Sequence, residues 1–486
     1  MPPLRVLIAS SEVAPFAKTG GLADVTGALA RYLFKAGHEP RIVLPLYKRV
    51  RTSGIALQPV EGLQEIPMQC GARKLTWSAW SAPLQKSDAR AWFIRCPELY
   101  EREGIYAADG DEHLRFAFLT RVAIESCQYT QWAPDVVHAH DWHTALAPLY
   151  LRTVYGWDKL FAKTRTLLTL HNNGYQGNFP LDVLHDLNLW NERHLLWQED
   201  VKRGVVSFLK TGITYATALS TVSRTYAKEI QGDELGMGLQ GMLRDRDDHL
   251  FGILNGVDYD VWNPATDTRI PHRFTPDDLS GKARMKAALL KRMELPPTER
   301  APVLGIVSRL TAQKGFDLLH DSLAVFLQRE DIRIVVQGSG EERYEKYFEW
   351  LANAFPQKVA YRKAYDEDLA HWIEAGSDMF LMPSRFEPCG LNQMYSLKYG
   401  TAPIVRKTGG LADTVTNWSP RSGEGTGFVF EPFDAHALSG AIESALRTYR
   451  DPAQWRRLQQ NGMAQDFSWE RQILKYVEMY RRLPAL

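Results

Sequence analysis

The string KTGGLAD stands at residues 18–24 and, unchanged, at residues 407–413. Seven identical residues recurring within one chain of 486 point to two halves built alike. Each copy follows a short apolar run, LRVLIA at 4–9 a few residues before the first and APIV at 402–405 just before the second, and each leads into an apolar segment. Strand, glycine turn and helix start in that order offer backbone N–H groups and the positive end of a helix dipole to an anion. The repeat therefore predicts a glycine turn from each half, with one ligand held between them.

Outward from the repeat, short apolar runs alternate with helix-period segments. Strands are expected at 5–9, 41–45, 91–95, 136–139, 166–170 and 219–222, and again at 303–307, 332–337, 379–382, 402–405 and 427–430. Several are continuously apolar, as strands covered on both faces of a parallel sheet are. After the first turn, Leu22, Val25, Leu29, Tyr32 and Leu33 fall near one helical face. The fold class is α/β, doubly wound. Residues 254–302 carry Pro264, Pro271, Pro276, Pro296, Pro297 and Pro302 and open with NGVD at 255–258. They read as a linker with one connecting helix at 279–293. The expected domains are thus 1–253 and 303–468, with the helix-like end at about 469–486 packing back on the first.

Nothing in the formal net charge of +1 argues for a nucleic-acid or membrane-surface partner, and none is expected, so a bound anion must be met by local charge. Cys70, Cys96, Cys127 and Cys389 form no C-x-x-C pair, which fits reduced thiols in a cytoplasmic enzyme. LRVLIA is too short to span a membrane and runs straight toward the glycine turn, so it reads as a strand and not a signal peptide.

Ligands of doubly wound sheets bind beyond the carboxyl ends of the strands, so the loops there carry the chemistry. After 303–307 comes SRLTAQKG, 308–315. Arg309 and Lys314 beside a helix start suit a diphosphate, because an arginine grips two oxygens and a lysine acts as a point charge; solvated surface charge is the plainer alternative. After 379–382 comes PSRFEPCGL, 383–391. Glu387 there is either a carboxylate for sugar hydroxyls and developing positive charge, or an acid near a helix start. The N–H groups of Gly390 and Leu391 can meet a phosphate on both readings. After 166–170 comes HNNGYQG, 171–177. His171 with its amides and glycines offers directional hydrogen bonds to a polyol, although a lone histidine is usually structural. VHAHDWHT at 137–144 puts three histidines and Asp141 within six residues, which invites a metal. The spacing matches no strong zinc motif, and the alternative is a strand end with His138 and His140 on one face. Lys18 precedes Gly20 and Gly21, so its ammonium can reach a charge held at the turn, although paired glycines often serve only as turns.

Together KTGGLAD (18–24), HAHDWH (138–143), HNNGYQG (171–177), STVSRTYAKEI (220–230), NGVD (255–258), SRLTAQKG (308–315), PSRFEPCGL (383–391) and TGGLAD (408–413) resemble, in order and nearly end to end, the bacterial glycogen synthase and plant starch synthase family, glycosyltransferase family 5. The resemblance implies a GT-B fold, two Rossmann-like doubly wound domains facing a central cleft. It implies retaining transfer of glucose from a nucleotide-sugar donor, typically ADP-glucose in bacterial members, to the non-reducing end of an α-1,4-glucan such as glycogen or a maltooligosaccharide. No cofactor and no metal are implied. By position, Arg309 and Lys314 would hold the diphosphate and stabilise the departing ADP. Lys18 and the Gly20–Gly21 turn would contact the donor from the other domain. Glu387 would contact the transferred glucose, Gly390 and Leu391 the phosphates, and His171 the glucose near its 6-hydroxyl. Tyr365 would stack on the base, and Asp141 and Asn255 would lie in the cleft.

Two departures stand out. Relatives with an E-x7-E motif carry a second glutamate where this chain has Tyr395; the starch-synthase type also lacks it. Relatives usually read H-N-[LI]-A-Y-Q-G where this chain has Asn173 and Gly174, which bears on fine specificity. The alternatives are a UDP-glucose-preferring or small-acceptor GT-B glucosyltransferase, a phosphorylase, and a catalytically silent glucan-binding homologue. The presence of Lys18, Arg309, Lys314 and Glu387 together argues against the silent one, and no resemblance to a pyridoxal-phosphate lysine site favours the phosphorylase.

Overall fold

A computed structural model of the chain describes residues 2–106, 109–320 and 322–484; residues 485 and 486, at the end of the expected final helix, lie outside them. The chain forms two units. Unit 1 comprises residues up to Val222, Ala227–Leu254 and the chain from Trp469; unit 2 comprises Ser223–Tyr226 and Asn255–Ser468.

Unit 1 is built on a ten-stranded sheet. Its parallel part runs in the order Leu250–Gly252, Ala218–Thr221, Arg165–Leu170, Val136–His140, Arg5–Ala9, Glu39–Pro45, Arg90–Arg95. Val6, Leu7 and Ile8 are wholly buried, as a central parallel strand covered on both faces must be. Strand order reverses between Arg5–Ala9 and Val136–His140, and such a reversal opens a crevice at the carboxyl ends of the strands. An antiparallel margin extends the sheet: Arg73–Pro83 pairs with Arg90–Arg95, Gln58–Pro59 and Ile66–Cys70. The final helix, Trp469–Arg482, belongs to this unit. Glu470 accepts from Lys35 at 2.7 Å, Trp469 stacks on Tyr32, and the Tyr480 hydroxyl meets His138 Nδ1 at 2.8 Å.

Unit 2 is built on six parallel strands in the order Val359–Arg362, Arg333–Gln337, Val303–Val307, Met379–Met382, Ala402–Arg406, Phe428–Phe430. Counted in order of appearance this is the 3-2-1-4-5-6 arrangement of dinucleotide-binding domains, which reverses between Val303–Val307 and Met379–Met382. Both units are therefore Rossmann-like and doubly wound, and the expected strands all form within two residues of their expected ends.

The segment 254–302, expected as a linker with one connecting helix, forms that helix close to its expected ends. From Asn255 it belongs to unit 2. Its helix, Ser280–Arg292, buries Met285, Leu289 and Leu290, and a Cβ on Gly376 would sit 2.8 Å from that of Leu289. Lys286 pairs with Asp378 at 2.8 Å. The prolines turn a chain that is wound onto the unit; they do not free it. Among the described residues no helix is long and apolar enough to cross a membrane.

Candidate active site

In unit 2, Leu304 lies beside Met379 in the sheet, so the loops leaving the two central strands emerge side by side. That adjacency brings together Lys314 and Glu387, far apart in sequence: Lys314 Nζ donates to Glu387 Oε2 at 2.5 Å. Ser384 Oγ donates to the same oxygen at 3.1 Å. Arg309 is exposed, and its guanidinium has no hydrogen-bond or ion-pair partner among the described residues. Gly390 takes φ 69°, and the N–H groups of Gly390 and Leu391 donate to nothing among the described residues. The reversal point of unit 2 thus gathers two cations, one carboxylate and two open N–H donors. Asn255 is buried beside Cys389, with its Oδ1 unpartnered among the described residues. Burial pushes the Cys389 thiol up to about 12, so it stays protonated and is no nucleophile. Tyr365, in the loop after Val359–Arg362, keeps 61% of its surface exposed. Tyr395, at the position of the missing second glutamate, stacks on Trp262 at 3.9 Å and 3°; an aromatic packing role fills that place.

The two KTGGLAD copies have different tasks. In the second, Gly409 has φ 44°, and a Cβ would stand 2.0 Å from Glu387 O at Gly409 and 1.9 Å from Cys389 O at Gly410. The Gly410 N–H donates to Glu387 O at 3.0 Å. These glycines let one backbone lie directly on the loop that carries Glu387 and Gly390. Asp413 accepts the N–H groups of Arg224 and Thr225 at 2.7 and 3.1 Å. In the first copy a Cβ at Gly20 or Gly21 meets nothing within 4 Å, and neither residue has positive φ. Neither packing nor backbone conformation demands glycine there; the space over the turn is open. Lys18 Nζ donates to Asp24 Oδ1 at 2.8 Å on the surface.

The two turns do not both present their N–H groups to an anion, as the repeat led one to expect. The N–H groups of Thr19 and Gly20 donate to the carboxylate of buried Glu12, which also accepts from the Thr19 hydroxyl at 2.7 Å and the Tyr106 hydroxyl at 2.5 Å. An internal acid occupies the place read as an anion site. Glu12 escaped the sequence reading; its signal is a lone acidic residue in the otherwise small and apolar run before the turn.

At the reversal point of unit 1, Asp141 adopts φ 52°, a left-handed conformation that Asp and Asn tolerate better than other side chains. That bend turns its Oδ1 onto the N–H groups of His171 at 2.7 Å and Asn172 at 3.4 Å. Burial pushes the Asp141 carboxyl up to about 7, with those two N–H donors holding it back. The imidazole of His171 meets His140, its Nε2 lying 2.9 Å from His140 Nδ1, and burial lowers His171 to about 3. His138 spends both nitrogens on Tyr480 and Thr169, and His143 packs among Tyr106, Phe116 and Trp142. Among the described residues no three His, Cys, Asp or Glu side chains are grouped to hold a metal ion. Asn173 is buried, and its Nδ2 donates to the Leu235 carbonyl at 2.8 Å. The departure beside His171 therefore tethers the 235–237 loop.

A folded-state pKa raised above the unfolded value of 3.8 leaves stability intact below about pH 4 and removes it as pH rises through 7. Asp141→Asn keeps the acceptor and tolerates the backbone. We expect the unfolding temperature of the wild type to fall relative to Asp141→Asn between about pH 4 and 7, and the difference to level off above that. Parallel melting curves with no pH-dependent gap would show that the carboxyl is not held protonated.

Comparison with known proteins agrees with this architecture. The family profile for the starch synthase catalytic domain matches residues 5–245, and that for glycosyl transferases group 1 matches residues 290–462. The chain is 44% identical to the glycogen synthase of Koribacter versatilis, over 99% of this chain and 98% of that one. It is likewise 44% identical to the glycogen synthase of Anaeromyxobacter dehalogenans, over 99% and 100%. Among solved structures, the catalytic domain of starch synthase IV from Arabidopsis thaliana, bound to ADP and acarbose, matches with a TM-score of 0.91 and 33% identity, covering 99% of each chain. Two Rossmann-like units with these loops make the protein a GT-B glycosyltransferase. Within that class, the chain belongs to the family of bacterial glycogen synthases and starch synthases.

Proposed function

We propose that this enzyme transfers glucose from ADP-glucose, with retention of configuration, to the non-reducing end of an α-1,4-glucan. The observation that carries the reading is the cluster at the reversal point of unit 2: Lys314 on Glu387 at 2.5 Å and, among the described residues, Arg309 without a partner for its guanidinium and the open N–H groups of Gly390 and Leu391. Two cations and two N–H donors suit a diphosphate leaving group, and Glu387 suits the transferred sugar as positive charge develops on it. The starch synthase IV relative, bound to ADP and acarbose, supports a nucleotide donor and a glucan acceptor. On this reading the bond from glucose C1 to the diphosphate breaks on the face where the acceptor hydroxyl attacks, through an oxocarbenium-like state. Leaving-group charge is met by side chains, so no metal is needed. Lys18 and the open turn at Gly20 and Gly21 contact the donor, Tyr365 stacks on the base, and His171 hydrogen-bonds the glucose near its 6-hydroxyl.

A paired-donor assay on glycogen and short maltooligosaccharides tests this. The expected result is transfer from ADP-glucose in preference to UDP-glucose, with activity unchanged by EDTA. Transfer from neither donor would end the proposal, UDP preference would reassign the donor, and loss of activity with EDTA would restore a metal to the mechanism.

A further inference from the structure

Neither the fold nor the transfer reaction as described gives His140 a task. It ends the strand Val136–His140 and is wholly buried. Its Nδ1 lies 2.9 Å from His171 Nε2, while its own Nε2 is buried without a hydrogen-bond partner among the described residues. The ring packed on it at 4.0 Å, His138, cannot serve that nitrogen. The Tyr480 hydroxyl fixes His138 at Nδ1 and the Thr169 hydroxyl fixes it at Nε2. On the far side of His171, Nδ1 has no partner among the described residues. Nδ1 is the ring atom that His171 has left for a ligand.

Burial holds both His140 and His171 well below the ordinary histidine range, so each ring is neutral at pH 7 and carries one ring proton. One proton occupies the contact between them, which allows two arrangements. If His171 Nε2–H donates to His140, the His140 proton must sit on Nε2, a buried N–H with no acceptor. If His140 Nδ1–H donates to His171, His140 Nε2 is only a bare lone pair, and the His171 proton must sit on accessible Nδ1. A buried donor without an acceptor forfeits about 1–3 kcal/mol of hydration, and orphaned N–H groups are the rarer kind in folded proteins. The second arrangement is favoured.

We propose that His140 is a positioning residue that locks His171 as the Nδ1–H tautomer, so that His171 presents a fixed N–H donor to a sugar hydroxyl. Which hydroxyl receives it rests on the transfer reaction proposed above; the tautomer does not. A donor aimed in advance costs no reorientation when the sugar binds, and it disfavours a sugar lacking the hydroxyl, because the N–H would then be left unpaired.

The test has two arms. Long-range 1H–15N correlation spectra of histidine-labelled enzyme, with the His171 signals identified by their loss in His171→Ala, report the tautomer directly. The expected result is Nδ1–H in the wild type; Nε2–H would overturn the inference whatever the enzyme catalyses. The second arm compares His140→Asn, which keeps an N–H donor near the position of Nδ1, with His140→Phe, which fills the space without one. For His140→Phe, kcat is expected to fall about 10- to 100-fold, the loss seen when the partner orienting a metal-bound histidine is removed. The acceptor KM should change little, and the His171 proton should move to Nε2. His140→Asn is expected to recover most of kcat and the Nδ1–H signal. Equal kcat in the two variants would overturn the positioning role. A wild type that transfers no glucose would instead count against the proposed function, with the spectra still deciding the tautomer. Should His140→Phe fail to fold, the wild-type spectrum alone still decides.

Discussion

Arg309→Ala lowers kcat for glucose transfer by at least about two orders of magnitude, as loss of a donor that stabilises developing charge does, and leaves the unfolding temperature where it was. The second half of that expectation follows from the structure. The Arg309 guanidinium has no protein partner among the described residues, so removing it breaks nothing in the folded enzyme. Lys314 is different. Its ammonium sits 2.5 Å from a carboxylate that is almost wholly buried, and removing one member of a buried pair leaves the other charge uncompensated. Lys314→Ala should therefore lose both turnover and stability, which makes it the poorer probe of chemistry. Steady-state kinetics with ADP-glucose alongside thermal melts separate the two. An Arg309→Ala enzyme with near-normal kcat would remove Arg309 from the catalytic machinery.

Replacing one glycine by alanine in each of the two KTGGLAD copies should have opposite consequences. Gly410→Ala places a methyl carbon 1.9 Å from the Cys389 carbonyl oxygen, a contact between two backbones that no side-chain rotation relieves. Inserting a methylene into a packed core commonly costs about 1–3 kcal/mol, and a clash of this kind belongs at or beyond the upper end. For a unit of this size, a loss of about 3 kcal/mol lowers the melting transition by roughly 6–12 °C. Activity should fall with it, because the displaced loop carries Glu387 and Gly390. Gly20→Ala, with nothing within 4 Å of the new atom and an extended φ of −158°, should melt with the wild type. Its effect should appear only in the kinetics, as a raised KM for the donor. Equal melting temperatures for Gly410→Ala and wild type would contradict the packing role; an unchanged donor KM for Gly20→Ala would remove the donor from the space over the first turn.

The parallel strands were legible because burial on both faces writes them as continuous apolar runs. What escaped was written in another pattern. Ile66, Met68 and Cys70 are buried while Pro67 and Gln69 between them are exposed, an alternation that belongs to a sheet with one covered face. The hairpin they form with Arg73–Pro83 turns on Gly71 at φ 55°. In 254–302 the helix expected at 279–293 forms at Ser280–Arg292, but that Met285, Leu289 and Leu290 bury it in unit 2 depends on partners distant in sequence. Arg309, Lys314 and Glu387 were legible from the loops that hold them, since the carboxyl ends of doubly wound strands mark where such residues gather. Glu12 and His140 were not, because their tasks depend on partners that only the tertiary fold brings near: the N–H groups of Thr19 and Gly20 for one, the ring of His171 for the other.

The helix Trp469–Arg482 sets the order in which the molecule can be finished during synthesis. Domains usually fold from the N-terminal end as they leave the ribosome. Here the unit that holds the first strand also needs a helix translated after all of Asn255–Ser468, and the Tyr480 hydroxyl from that helix completes the bonding of His138. The nascent first unit must wait, with the stack of Trp469 on Tyr32 not yet made, while the second unit is made and folds. A premature stop before codon 469 would therefore spare every loop named above as a candidate site and still unsettle the stacked histidines.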